Sequence, residues 1–173
     1  MEIIQLKNIT KKYKDKVIFS DVNLTIPSSS FTVLMGESGS GKTTLLNIMG
    51  GLESQTSGEV IIEQKNLKNF NARKRTDFYR HEVGLIFQGS YLQPQLTLFE
   101  NISLPGVFAK MPRAERDQRV RELAKDLGIS EVLNNLPSQV SGGQAERACI
   151  ARALLLNPKI ILADEPTSNL DEK

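Results

Sequence analysis

Gly36-Glu37-Ser38-Gly39-Ser40-Gly41-Lys42-Thr43 is the stretch of sequence that decides the fold. It fits the pattern G-x-x-x-x-G-K-[ST], in which glycines let successive backbone N–H groups turn inward around a chain of phosphates. A helix that follows such a loop points its partly positive N-terminus at the same phosphates. Lys42 would add a full positive charge, and the Thr43 hydroxyl can ligate a magnesium ion. The stretch predicts a phosphate-binding loop; the alternative is a plain strand–turn–helix connection.

The residues on either side of this loop have the pattern that a phosphate-binding loop requires. Phe31-Thr32-Val33-Leu34-Met35 is a short apolar run that is typical of a buried strand, and it ends abruptly at Gly36. After the loop, apolar residues recur at helical spacing from Lys42 to about Leu52. We therefore expect a buried strand before the loop and an amphipathic helix after it.

The composition narrows the possible functions. The chain has 173 residues, of which 22 are basic and 20 acidic, with one cysteine and one histidine. A net charge of +2 argues against a dedicated nucleic-acid binder, and one cysteine cannot form an internal disulfide. We interpret Cys149 as a small core residue and His81 as a surface histidine. No apolar run reaches about 18 residues and the N-terminus does not resemble a leader, so we expect a cytoplasmic protein. If it works at a membrane, a partner must hold it there.

A second stretch places two carboxylates at the end of an apolar run. Ile160-Ile161-Leu162-Ala163 is followed directly by Asp164 and Glu165. A carboxylate beside a phosphate-binding loop can bind magnesium through water, and Asp164 suits that role. Glu165 can orient or deprotonate an attacking water. Because strands often end in acidic residues, this signal is weak alone and gains its strength from the loop in the same chain.

A third stretch, Ser141-Gly142-Gly143-Gln144, opens a helix that we predict to continue to about Leu156. Ser141 and Gln144 have the spacing of a capping box, in which each side chain bonds the backbone N–H of the other residue. Two glycines in a first helical turn cost stability relative to alanine. They are explained if the backbone must lie against a ligand, such as the phosphate of a second nucleotide. The two interpretations are compatible.

The remaining pattern predicts the architecture. Short strands are expected up to about Phe31, whereas residues from about 96 to 136 are mainly helical. Strand and helix material thus flanks a helical insert, which predicts an α/β protein with a parallel sheet core and a helical subdomain. The predicted domains are a discontinuous core, 1–88 with 157–173, and a helical subdomain, 89–156.

The three stretches, in this order and spacing, resemble the nucleotide-binding domain of ABC transporters, in which residues 141–144 match the signature motif. The resemblance covers the whole chain. Around residues 94–97, 100–101 and 136–141 it is most similar to the lipoprotein-release, macrolide-export and antimicrobial-peptide-export group. It implies a P-loop NTPase (RecA-like) parallel sheet with an N-terminal antiparallel β part and an inserted helical subdomain. It also implies ATP and Mg²⁺ as cofactors.

The same resemblance implies roles for residues outside the three stretches. Gln88 matches the family's glutamine after a strand, with a catalytic and magnesium-binding role. Tyr13 matches an aromatic residue that stacks on adenine; the alternative is a surface tyrosine. Asp171 matches the loop after the carboxylates, in which Asn169 replaces a commoner alanine. The implied nucleotide contacts are Tyr13, Gly36, Glu37, Ser38, Gly39, Ser40, Gly41, Lys42, Thr43, Thr44, Ser141, Gly142, Gly143, Gln144 and Asp171. The implied catalytic residues are Gln88 and Glu165, and the implied magnesium ligands are Thr43, Gln88 and Asp164.

The resemblance further implies an assembly. Two copies would bind head to tail, with ATP between the phosphate-binding loop of one and the signature helix of the other. A transmembrane permease would contact the region near residues 88–95 and hold the protein on the inner face of the cell membrane; no nucleic acid is expected. Family domains continue past the carboxylates to another strand and a histidine. We therefore expect residues 1–173 to lack that C-terminal strand and histidine and to hydrolyse ATP poorly by themselves.

The predicted function is that of an ATP-binding subunit of a membrane transporter. It would couple ATP binding and hydrolysis to the export or extraction of a substrate such as a peptide, a lipoprotein or a drug. Two alternatives stay open: a nucleotide-binding fragment with little hydrolysis, and an ABC ATPase that does not serve transport.

Overall fold

The computed structural model describes residues 1–166, so the predicted nucleotide contact Asp171 lies outside the described residues. The chain divides into two compact units, Met1–Asp77 and a second unit that begins at Phe78. The fold is α/β, with an antiparallel sheet in the first unit and a parallel strand pair in the second. The predicted division has other boundaries, a discontinuous core of 1–88 with 157–173 and a helical subdomain of 89–156, and it stays a prediction.

The first unit is built on a four-stranded antiparallel sheet. Its strands are β1 (Glu2–Tyr13), β2 (Lys16–Pro27), β3 (Ser57–Ile62) and β4 (Lys65–Asn66), in the spatial order β2-β1-β3-β4. The helix α1 (Lys42–Met49) follows the glycine-rich loop. It ends one turn earlier than predicted, because Gly50 and Gly51 close it instead of continuing it.

Burial along β1 changes phase at a bulge. Ile4 and Leu6 are buried, and after a register shift it is Ile9 and Lys11 that are buried. Asn8 lies at the shift with a left-handed φ of 51°, a conformation that asparagine adopts more readily than most residues. A bulge inserts one extra residue, so every residue after it changes face. The bulge thereby turns Lys11, a residue type that is usually exposed, toward the interior.

Residues 31–35, predicted to form a buried strand, do not form a strand. The segment is irregular, and Phe31 and Met35 are 94% and 88% exposed. A strand that is apolar on both faces needs neighbouring strands and covering helices. Within residues 1–166, neither sheet includes this segment. The prediction was wrong because an apolar sequence shows only that a segment can be buried. Whether it is buried depends on the strands that pair with it.

The second unit joins a parallel strand pair to a group of helices. β5 (Val83–Ile86) pairs in parallel with β6 (Ile160–Ala163), the apolar run that precedes the two carboxylates. α2 (Ala72–Glu82) begins in the first unit and ends where β5 begins. The helices α3 (Leu98–Phe108), α4 (Arg113–Asp126) and α5 (Gly142–Leu154) lie wholly in the second unit. α5 contacts both α3 and β5. It therefore links the helices of this unit to the strands.

The helices of the second unit enclose one apolar cluster. The region from about 96 to 136, predicted to be mainly helical, contains α4, whose apolar residues Val120, Leu123 and Ala124 are buried. They pack with residues of α3 and α5 and of the turns between α4 and α5. The buried members are Leu98, Ile102, Val120, Leu123, Ala124, Ile129, Leu133, Ala148, Ala151 and Leu155. Each large aliphatic side chain buried in this way contributes about 1.5–3 kcal/mol.

Across residues 1–166, none of the helices is both long enough and apolar enough to cross a lipid bilayer.

Candidate functional site

The glycine-rich loop between residues 36 and 43 has backbone conformations that require glycine. Gly39 and Gly41 have φ values of 78° and 93°, which side-chain-bearing residues rarely adopt. A Cβ atom on Gly41 would also lie 2.8 Å from Cγ2 of Ile18 and 2.9 Å from Cδ1 of Phe19, both in β2. The loop thus turns tightly against the sheet, and glycine at position 41 is required for two independent reasons.

The helix that starts after this loop has no side-chain cap. Gly41 is its N-cap residue and supplies no acceptor, and no acidic residue lies in the first turn of α1. The first N–H groups of a helix have no partner within the helix, and they carry its partial positive charge. They are therefore open to an anion that approaches from the loop.

Lys42 keeps its charged end against the same loop. Its Nζ atom donates to the carbonyl oxygens of Gly36 and Glu37, at 2.8 Å in both cases. These bonds hold the ammonium group next to the uncapped helix N-terminus. A phosphate is a stronger partner for an ammonium group than a neutral carbonyl, so the same side chain can turn to a phosphate oxygen.

Tyr13, the last residue of β1, is brought to the first turn of α1. Tyr13 is 46% exposed. Its hydroxyl donates to the carboxylate of Glu53, and the side chain of Thr44 in α1 also bonds to it. The Glu53 hydrogen bond is the main reason that the pKa of Tyr13 is raised above its ordinary value. The structure therefore unites Tyr13, Thr44 and the phosphate-binding loop in one unit.

In the second unit, the ends of β5 and β6 bring Gln88 and Glu165 together. The backbone N–H of Asp164 donates to the carbonyl of Ile86 at 2.9 Å, which extends the pairing of the two strands. Just beyond it, Nε2 of Gln88 donates to Oε2 of Glu165 at 2.7 Å. Glu165 has a left-handed φ of 47°. Such conformations in residues other than glycine are uncommon and cluster at functional sites.

The N-terminus of α5 is capped by its own side chains. The Ser141 hydroxyl accepts from the Gln144 N–H at 3.2 Å, and the Gln144 side chain accepts from the Ser141 N–H at 2.9 Å. The predicted capping box is thus confirmed. Gly142 and Gly143 form the first turn of the helix. The interpretation of these residues as a phosphate contact stays a prediction.

Two residues near Tyr13 were missed by the sequence analysis. Lys11 forms an ion pair with Glu53 at 2.8 Å, and its Nζ atom lies 4.6 Å from the centre of the Tyr13 ring. The spacing of Lys11 and Tyr13, two residues apart on one strand, was a usable signal. Glu53 lies 40 residues from Tyr13, and no local pattern marks it.

The residues interpreted as structural have the expected surroundings. Cys149 is 3% exposed, and its Sγ atom donates to the carbonyl of Ser90 at 2.7 Å. Burial is the main cause that raises the pKa of this thiol, so it is a poor nucleophile. Arg152, one turn further along α5, donates to the carbonyls of Ser90 and Tyr91. His81 is exposed beside α2's end.

The loop, the signature helix and the acidic strand end define the class of protein, and comparison with known proteins agrees. The ABC transporter family matches residues 19–168. The chain belongs to this family, whose ATP-binding domains bind and hydrolyse ATP, and it is an ATP-binding subunit of the ABC type.

Individual relatives make the similarity more specific. The chain is 43% identical over 170 residues to the putative hemin import ATP-binding protein HrtA of Staphylococcus epidermidis, which covers 96% of this chain and 76% of that protein. It is 40% identical over 171 residues to the macrolide export ATP-binding/permease protein MacB of Campylobacter jejuni, which covers 99% of this chain but 27% of that protein. Only about a quarter of the MacB length is therefore represented here.

The fold is also that of a solved ATP-binding cassette. The dimeric, post-hydrolysis structure of the cassette MJ0796 bound to ADP and Pi superposes with a TM-score of 0.90 and 41% identity, covering 98% of this chain and 77% of the cassette. A second dimeric structure of MJ0796, a bacterial ABC transporter cassette, superposes with a TM-score of 0.90 and is 42% identical in sequence. The predicted P-loop fold class and ATPase class are confirmed.

Proposed function

We propose that this chain binds ATP with Mg²⁺ and couples its hydrolysis, in a pair of copies, to export or extraction of a substrate through a membrane permease. The observation that carries the proposal is the loop at residues 36–43, which leads into an uncapped helix N-terminus with the Lys42 ammonium beside it. This is an anion site made of backbone donors and one cation. It is matched in size and charge to a chain of phosphates.

The residues of the loop have distinct roles in the proposal. The N–H groups of 36–43 and of the first turn of α1, including Thr44, surround the phosphates, and Lys42 neutralises the terminal ones. The loop provides these donors without reorganisation, since its glycines already have the required backbone conformation. Tyr13 would stack on the base of the nucleotide, because this partly exposed residue lies beside the first turn of α1.

A magnesium ion fits the donor set that the sequence implies. The hydroxyl of Thr43, the amide oxygen of Gln88 and the carboxylate of Asp164 are all hard oxygen ligands, which Mg²⁺ prefers. Within residues 1–166 there is no cluster of three or more His, Cys, Asp or Glu side chains that could hold a metal. Mg²⁺ is usually bound by one or two carboxylates together with substrate phosphates, a role that Asp164 would serve here. When bound, the ion would offset negative charge on the phosphates.

Glu165 and Gln88 would handle the attacking water. Glu165 is exposed at the end of β6 and can accept a hydrogen bond or a proton from water. Gln88 fixes the position of that carboxylate through its amide N–H, which leaves its amide oxygen for another partner. One side chain can therefore serve both roles that the sequence analysis assigned to it.

A second copy would complete each site. The segment Ser141–Gln144 would face the phosphates bound in the loop of the partner copy, and Asp171 is proposed as a further nucleotide contact. The dimeric structures of the MJ0796 cassette support this arrangement. A permease that contacts residues near 88–95 would keep the protein peripheral on the inner face of the membrane.

The transported substrate and its direction are chosen by that permease. The relatives have names that differ in direction, hemin import for one and macrolide export for the other. We propose export or extraction, of a peptide, a lipoprotein or a drug, because residues 94–97, 100–101 and 136–141 resemble the lipoprotein-release, macrolide-export and antimicrobial-peptide-export group.

The test combines turnover with partner capture. The purified wild-type protein and its Glu165→Gln variant are each assayed for ATP hydrolysis, with Mg²⁺ and with a chelator. In a second experiment, a tagged copy of the protein is isolated from solubilised membranes. The proposal requires Mg²⁺-dependent hydrolysis that Glu165→Gln removes, and capture of a polytopic membrane protein. ATP binding with no turnover under any condition would favour a nucleotide-binding fragment. Turnover without any membrane partner would favour an ATPase that does not serve transport.

A further inference from the structure

Three side chains at the end of β1 and just after α1 form a closed contact group, the Lys11–Tyr13–Glu53 cluster. Nζ of Lys11 lies 2.8 Å from Oε1 of Glu53 and 4.6 Å from the centre of the Tyr13 ring. The Tyr13 hydroxyl donates to the same oxygen of Glu53. Each of the three residues therefore contacts the other two, so none can move without disturbing the rest.

Lys11 is the buried member of this cluster, and its charged end has two acceptors. Lys11 is 8% exposed, and its Nζ atom has a second acceptor, the carbonyl of Ser54 at 2.7 Å. The Glu53 side chain is 23% exposed. The following segment is tied to the same strand, since Oγ1 of Thr56 accepts from the N–H of Lys12 at 2.9 Å. Such partnering makes an otherwise costly buried lysine acceptable.

The ionisation states agree with these bonds. Burial works against ionisation of Glu53, but hydrogen bonds from Lys11 and Tyr13 keep its pKa below the ordinary value. The pKa of Tyr13 is raised, first by its hydrogen bond to Glu53. At neutral pH the carboxylate is therefore charged and the phenol keeps its proton, as the donor geometry requires.

Tyr13 stays accessible although it is fixed at two points. An ammonium group close to the ring is attracted to its π-electrons. The hydroxyl end is fixed by Glu53 and by Thr44, which belongs to the first turn of α1. The residue nevertheless stays 46% exposed. An exposed aromatic ring held at a set position from a phosphate-binding loop is a stacking platform for a base.

We propose that Lys11 and Glu53 are positioning residues that hold the Tyr13 ring for the base of the bound nucleotide. The inference rests on the proposed function, in which Tyr13 contacts that base. Its energetic reason is preorganisation, because a ring that is already fixed loses little conformational freedom when a base stacks on it. Since every base has a π-face, the device supports binding of adenine and guanine alike.

The experiment compares affinities of Glu53→Gln for ATP, GTP and inorganic tripolyphosphate, with the wild-type protein as reference. We expect the affinity for ATP and for GTP each to fall by about fivefold, the size of one hydrogen bond. The affinity for tripolyphosphate, which has no base, should be unchanged. The matched control is Glu63→Gln, because the Glu63 side chain is 21% exposed, much like that of Glu53, and pairs with Lys65 at 3.6 Å in the turn between β3 and β4. That variant should bind all three probes like the wild type.

Tyr13 variants separate failure of the inference from failure of the proposed function. Tyr13→Ala should weaken the affinity for ATP by about tenfold or more. Tyr13→Phe should lower this affinity as much as Glu53→Gln does, and combining Tyr13→Phe with Glu53→Gln should cause no further loss. Normal ATP affinity in Tyr13→Ala would remove the proposed base contact altogether. Weak ATP binding in Tyr13→Ala with normal binding in Glu53→Gln would overturn the positioning role alone.

Two further readouts exclude a merely structural effect. If Glu53→Gln weakens tripolyphosphate as much as ATP, the cluster supports the fold and not the base, and the inference is overturned. If Glu53→Gln does not fold, Lys11→Met replaces it in the same comparison. In Glu53→Gln, if it folds, ultraviolet titration should also show that the phenol pKa of Tyr13 falls relative to wild type, because the hydrogen bond to the Glu53 carboxylate is the main cause that raises this pKa.

Discussion

The first turns of α1 and α5 both follow or contain glycines, yet their backbone donors are satisfied in different ways. α1 begins after Gly41 and has no side-chain cap, whereas Ser141 and Gln144 cap α5 reciprocally. The helix without a cap can receive an anion at once. The capped helix must exchange internal hydrogen bonds for external ones. A single copy can therefore hold phosphates through α1, while a contact through α5 has to compensate for the loss of its own cap.

The largest expected effect comes from removing the cation of the uncapped site. Lys42→Ala should abolish detectable ATP binding, because the phosphates lose the only full charge that the loop places beside them. Binding is measured by titration with labelled ATP. Lys65→Ala, in the turn region of the same sheet, is the control and should bind normally. Unchanged affinity in Lys42→Ala would mean that α1 is not the phosphate site.

Matched glycine substitutions test the two helix starts against each other. Gly41→Ala should destabilise the protein by about 1–3 kcal/mol, because its φ is 93° and its Cβ would meet Ile18 at 2.8 Å. Gly143→Ala should stabilise by up to about 1 kcal/mol, because it lies inside a helix. Urea unfolding measures both. If Gly143→Ala also leaves ATP turnover unchanged, close backbone approach at α5 is not needed.

The cap of α5 should matter for stability and not for binding by one copy. Ser141→Ala removes an acceptor from the first turn and should cost about 1 kcal/mol of unfolding free energy. ATP affinity at limiting protein concentration should not change. A drop in that affinity would show that α5 takes part in binding within one copy. The two helix N-termini would then not differ in the way described above.

The smallest expected effect concerns the interior of α5. Burial raises the folded-state pKa of Cys149 above its ordinary value of 9.0, so its contribution to stability is complete below pH 9.0 and is lost as pH rises through the raised pKa. Alkylation at neutral pH should therefore be slow and should speed up in urea. Rapid alkylation of the native protein would mean that α5 opens readily, and that its cap does not fix it.

The sequence predicts the parts of this molecule whose physical cause is local. The conformation of Gly41, the capping box of Ser141 and the strand that ends at Asp164 each depend on a few neighbouring residues. The contact of Gln88 with Glu165 joins residues 77 apart. The acidic end of the apolar run suggested a catalytic role for Glu165, whereas only the family resemblance suggested one for Gln88.

Other features could not be predicted because they depend on distant partners. Residues 31–35 have the composition of a buried strand but no pairing within residues 1–166, so their exposure could not be deduced from their own pattern. Glu53 is an ordinary surface residue by sequence, and only the fold brings it to Lys11 and Tyr13. The bulge at Asn8, which turns Lys11 inward, is equally invisible in the alternation of polar and apolar residues.

The exposed segment at residues 31–35 should promote association between molecules of this protein in solution. Phe31, Val33 and Met35 are 94%, 62% and 88% exposed, so three large apolar side chains meet solvent within five residues. Unpaired apolar segments of this kind associate with one another, and a net charge of +2 gives little long-range repulsion between molecules. Light scattering should therefore report attraction between molecules that grows as salt screens the remaining charge, and replacing Val33 with lysine should reverse it.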